Sequence, residues 1–122
     1  MAKKIESLPS NSDVEKFEML DKLVDSIYLE MKEFSKKKPD EPLNKFKVKS
    51  VNRVLEQVKD ILSNEPTLQF LDLLDDETLP SNSDSILILG QFMAAMKQFH
   101  SKYRKREAGV GLRWSTKENP VK

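Results

Sequence analysis

Carboxylates stand in pairs three residues apart in this chain, among them Glu15 with Glu18, Glu30 with Glu33, and Asp72 with Asp75. On a helix that spacing brings both groups to one face, and two such faces opposed across a bundle would hold a magnesium ion through oxygen ligands alone. The first two pairs, however, fall on one helix and on its polar side, where solvated charge is the ordinary outcome. The sole histidine, His100, falls inside the apolar arc of the last helix beside Met93 and Met96, which reads as a hydrogen-bonded core-edge residue rather than a ligand. No Glu-x-x-His pair exists for a di-iron site, and there is no cysteine for a disulfide, a thiolate zinc site or a nucleophile.

No glycine-rich phosphate loop, nucleophile elbow or nucleotide fingerprint is present either. The residues therefore predict no catalytic group, no metal and no cofactor, hence no enzyme and no small-molecule substrate. A magnesium-dependent all-α nucleotide pyrophosphohydrolase, which uses acidic pairs on facing helices, is the one enzyme alternative the carboxylates leave.

The cations are more suggestive. Net charge is only +1, but residues 36–53 carry seven basic and two acidic side chains, 64–96 carry six acidic and no basic, and 97–122 carry eight basic and two acidic. Within the first basic block Lys45, Lys49 and Arg53 share the helix face opposite the core stripe, with Phe46 beside them. The second block supplies Lys102, Arg104, Lys105 and Arg106, followed by Arg113 and Trp114. Cations for phosphates and a ring for a base are what a nucleic-acid surface offers. Against that reading, a lysine-rich helix face is usually just solvated, Phe46 is equally suited to packing on the N-terminal leader, and the near-neutral total is unlike a dedicated nucleic-acid binder.

These groups must be positioned by helices. The apolar residues predict an all-α bundle with long helices over about 13–37, 42–63 and 84–107 and a short one over about 67–75, preceded by a polar leader (1–12) anchored by Ile5 and Leu8 and followed by a basic tail (108–122). Phe17, Leu20, Val24, Ile27, Met31 and Phe34 recur at three and four residues, the rhythm of a helical seam. Ser12 with Glu15 fits a capping box at the start of that helix. Pro39 and Pro42 break the chain, Pro42 suits the first turn of the second helix, and the stripe Val48, Val51, Val54, Leu55, Val58 and Leu62 keeps helical period. Leu68, Leu71 and Leu74 point the short helix inward, and its end in Asp72, Asp75, Asp76 and Glu77 opposes the helix dipole. The hexapeptide Leu-Pro-Ser-Asn-Ser-Asp occurs at 8–13 and again at 79–84, the same helix-start solution used twice.

The last long helix is the most apolar: Ile86, Ile88, Leu89, Phe92, Met93, Ala95, Met96, Phe99 and Tyr103 cover half its circumference, which predicts the central member of the bundle. Gly109 would stop it. Met19, Leu29, Leu87 and Ala94 fall outside their helices' main arcs and are the candidate interface residues, with Gly90, one turn before Ala94, either admitting another backbone or simply a tolerated glycine. No signal-peptide pattern and no apolar run long enough for a membrane span occurs, so a cytoplasmic, non-membrane protein is expected. Taken together, the residues predict a non-catalytic helical adaptor, regulator or assembly subunit that binds itself or a protein partner, with nucleic-acid binding as the alternative.

Overall fold

The computed structural model describes residues 8–122, so the Ile5 anchor expected for the leader lies outside the described residues. Three α-helices, α1 (Asn11–Lys37), α2 (Lys45–Ile61) and α3 (Asn82–Tyr103), enclose one core, and α3 is followed by a hairpin of two short antiparallel strands, β1 (Arg104–Glu107) and β2 (Gly111–Trp114), and a tail without regular secondary structure.

The helices begin where side-chain oxygens relieve unpaired backbone N–H groups. Both copies of the repeated hexapeptide do this, through their first serine. Ser10 Oγ accepts from the Asp13 N–H while Asp13 accepts from the Ser10 N–H, so the reciprocal box at α1 is Ser10/Asp13 and not Ser12/Glu15. Ser81 Oγ accepts from the Asp84 N–H at α3. Helix α2 starts later than expected, because Asn44 provides its cap and Pro42 instead pairs with Ser81 in an isolated bridge.

Each hexapeptide is also a docking point. At the second, the buried Asn82 side chain donates to the Lys38 carbonyl and Leu43 N–H to the Pro80 carbonyl, tying the α1–α2 loop to the start of α3. At the first, Pro9 accepts from Lys117 N–H and Glu118 accepts from Asn11 N–H, tying the tail to the start of α1.

The apolar stripes meet as their spacing requires. Phe17, Leu20, Val24 and Met31 of α1, Val48, Val51, Leu55 and Val58 of α2, and Leu89, Phe92, Met96 and Phe99 of α3 are all buried in a single cluster. Truncating one of these large side chains to alanine removes about 2–5 kcal/mol. Helix α3 buries more of its residues than the others. In close backbone approach, α1 is the helix that meets both of the others, while α3 meets α1 and the segments on either side of itself.

Two elements depart from the expected helices. Only Pro66–Phe70 coils, as a 3-10 turn, and residues 71–75 leave it at an extended Leu71 without regular secondary structure. The reason is Asn52 on α2, whose side chain accepts from Leu74 N–H and donates to Leu74 C=O, replacing the bonds a helix would have supplied. Leu71 and Leu74 are still buried, as their spacing predicted. No carboxylate therefore opposes a helix dipole here. Instead Asp75 accepts from the N–H groups of Glu77 and Thr78, and these bonds hold its carboxyl below the usual carboxylate range. The last helix stops at Tyr103 rather than near Glu107. The next eleven residues form the hairpin, with Arg104 opposite Trp114 and Glu107 opposite Gly111, and with Gly109 and Gly111 at φ of +82° and +100°, which only glycine adopts readily.

Candidate interaction surfaces

The candidate residues of the first basic block lie on the outward face of α2. Phe46 is 78% exposed, and Lys45, Lys49 and Arg53 are exposed around it with no ion pair among the described residues. Phe46 does not pack on the leader residues that are described. It forms one wall of a groove between α1 and α2, about 290 Å³ in volume, with Phe34 as the other wall and Ile27, Met31 and Val51 beneath. Lys47 Nζ sits 4.4 Å from the Phe34 ring centroid, a cation–π contact of about 0.5–1 kcal/mol at such an exposed site. Glu30 is the one carboxylate in the groove lining.

The C-terminal candidates are arranged otherwise. Trp114 turns back onto the helices: its ring meets Phe17 at 5.5 Å and His100 at 5.2 Å edge-on, and its indole N–H donates to Glu18. Arg113 pairs with Glu107 at 2.6 Å and donates to the carbonyls of Trp114, Asn119 and Pro120. That pairing holds the Glu107 carboxyl below its usual range and the guanidinium above its own. Strand pairing divides the remaining cations, since residues alternate between faces: Lys105 stands opposite Arg113 while Arg104 and Arg106 turn to the Trp114 and Leu112 side. Of the four cations over 102–106 only Lys102 lies on α3, and Arg104, Lys105 and Arg106 belong to β1.

Lys102 is also engaged, and its partner was not evident from the residues alone. Glu65 is buried, with its side chain 6% exposed, and accepts from Lys102 Nζ at 3.1 Å and from the Tyr103 hydroxyl at 2.7 Å. Burial pulls the Lys102 ammonium down, but the hydrogen bonds and charges of Glu65 and Tyr103 outweigh it, and the net direction is up. Burial, reinforced by Glu65, pushes the Tyr103 phenol up as well. The available signal was Tyr103 itself: a tyrosine on a buried arc needs an acceptor for its hydroxyl.

The interface candidates are open. Met19, Leu29 and Leu87 are all more than half exposed and Ala94 is exposed, while among the described residues no atom of another element comes near the missing Cβ of Gly90. Leu87, Gly90 and Ala94 share the outer face of α3, bordered by Phe70, which is 65% exposed. Met19 and Leu29 lie on α1 instead, about 80° apart around its axis.

His100 is exposed rather than set in the apolar arc, with its ring against Trp114. Among the described residues no group of three histidine or acidic side chains is placed to hold a metal ion, and no helix is long and apolar enough to cross a membrane. No family model, curated protein or solved structure matches the chain.

Proposed function

We propose that this protein is a non-catalytic helical interaction module of the cytoplasm that binds a protein, itself or another, through apolar surface its own core leaves uncovered. The observation that carries this reading is the α1–α2 groove, an apolar trough whose aromatic wall, Phe46, has three-quarters of its surface in water. Large aromatics at a concave apolar site are the usual anchors of protein interfaces, and surrounding cations set orientation more than affinity. The second such surface is the outer face of α3 at Leu87, Gly90 and Ala94.

A photo-crosslinking amino acid placed at Phe46 in the intact protein, in its host cells, tests the reading. Discrete protein adducts at that position are expected, and a chain that forms none under illumination lacks the partner proposed. Nucleic-acid binding is the second reading, favoured by the unpaired Lys45, Lys49 and Arg53 around the Phe46 ring. Failure of both single-stranded and duplex probes to bind at low salt removes it.

A further inference from the structure

The α1–α2 groove has a complement on the same molecule. Residues 70–77 present Phe70, 65% exposed, followed by the exposed carboxylates of Asp72, Asp75, Asp76 and Glu77. No basic residue occurs between Glu65 and Lys97 to neutralise them. The segment is held in shape. Asn52 clamps Leu74 from α2, Leu71 and Leu74 are buried, and Asp75 closes the turn onto Glu77 and Thr78. A fixed turn loses little freedom when it docks.

We infer that the acidic turn of one copy, led by Phe70, docks in the α1–α2 groove of a second copy, its carboxylates facing Lys45, Lys49 and Arg53. This deepens the proposed function by naming the partner, and it rests on the reading of that groove as a docking surface. Three observations support a second copy over other occupants. The groove face is aromatic and basic with its cations unpaired, and the turn is aromatic and acidic with its anions unneutralised. Around α2 the groove, at Ser50, and the acidic turn, held by Asn52, lie about 160° apart with Lys45, Lys49 and Arg53 on the arc between them, so one chain presents both surfaces. The contact joins unlike surfaces, so it propagates head to tail instead of closing as a two-fold dimer.

Static light scattering of the full chain, at high concentration and across a salt series, reads this directly. In about 0.01 M salt, where the screening length is about 30 Å, the weight-average mass should rise with concentration to at least twice the monomer value, and in about 1 M salt it should return to the monomer. Lys49→Glu with Arg53→Glu in one chain turns the basic face net acidic, and Asp72→Lys with Asp76→Lys in another leaves the turn without net charge, so each variant alone should stay monomeric. An equimolar mixture of the two should regain the higher mass. All four positions are exposed, and circular dichroism of each variant checks that the helices persist. A wild-type chain that is monomeric in low salt, self-association indifferent to both charge pairs, or a mixture that stays monomeric overturns the inference. A mass increase that appears only on adding a single-stranded oligonucleotide, and that Lys49→Glu with Arg53→Glu abolishes, assigns the basic face to nucleic acid and overturns it too. A monomer in this assay whose Phe46 crosslinker still captures a different protein in cells defeats the self-pairing while leaving the proposed function standing.

Discussion

Trp114 with Arg113, and Phe46 with its flanking lysines and Arg53, are nearly the same composition: one ring among cations. Their fates in the fold are opposite. The Trp114 ring contacts Phe17 and His100, its N–H donates to Glu18, and the neighbouring guanidinium is shared among Glu107 and three carbonyls. The Phe46 ring borders a groove with most of its surface in water, and among the described residues the nearby cations on its face have no ion-pair partner. The difference lies in what each residue can reach. A hairpin brings Trp114 back to α3 and α1, whereas Phe46, in the first turn of α2, stands at the rim of the α1–α2 groove with most of its ring uncovered. An aromatic among cations is thus evidence for a binding surface only when the fold has not already used it.

That contrast can be broken by removing each ring in turn. Trp114→Ala should cost about 3 kcal/mol of unfolding free energy in urea, the low end for truncating a large aromatic because this ring is only half-buried. Next in size is Tyr103→Phe, which deprives the buried Glu65 of its hydroxyl donor and should cost about 1–2 kcal/mol. The same cluster should make the wild-type protein sensitive to alkali. Lys102 and Tyr103 both have raised pKa values, so the folded state holds protons the unfolded chain releases. Their stabilisation is complete below about pH 10 and is lost as pH rises through the folded values, and thermal melts between neutral pH and pH 11 should show it.

A smaller, local effect is expected at the hairpin. Glu107 has a depressed pKa, so its contribution is present at neutral pH and lost as pH falls through the folded value. Arg113→Ala, or acid below the usual carboxylate range, should quicken amide exchange at Ser115 while leaving mid-helix amides of α2 unchanged. Phe46→Ser should change stability least, within about 0.5 kcal/mol, because the ring is mostly solvated in both states. A loss much larger than that, in urea, would show that Phe46 is structural after all and erase the contrast.

The helices were legible because apolar residues at three and four residue spacing have one way to reach a shared core, and the stripes of α1, α2 and α3 did so. The starts of α1 and α3 were legible from Leu-Pro-Ser-Asn-Ser-Asp, though the capping serine is the first of each pair, the one placed for the third N–H of its helix. What escaped depended on distant partners. Leu68, Leu71 and Leu74 have helical spacing, yet Asn52, 22 residues away in sequence from Leu74, supplied a competing set of bonds. Arg104–Trp114 contains two short runs separated by Ala108-Gly109-Val110, a hairpin signal that Gly109 alone, taken as a helix stop, concealed. Of the candidate surfaces, the Phe46 face and the outer face of α3 were visible as residues outside their core arcs. The commitment of Lys102, Arg113 and Trp114 to internal partners was not, since Glu65 and Glu18 are brought to them only by the tertiary fold.

The ties between the first hexapeptide and the tail have a consequence for how the molecule comes together. Asn11 is bonded to Glu118, 107 positions on, and Glu18 to Trp114, 96 positions on. Nearly the whole polypeptide is a loop that these bonds close, and large loops carry the steepest entropy toll before any contact returns it. The opening turns of α1 can take up Phe99 from α3 early, but they gain their Trp114 cover only once the hairpin has formed and folded back onto them.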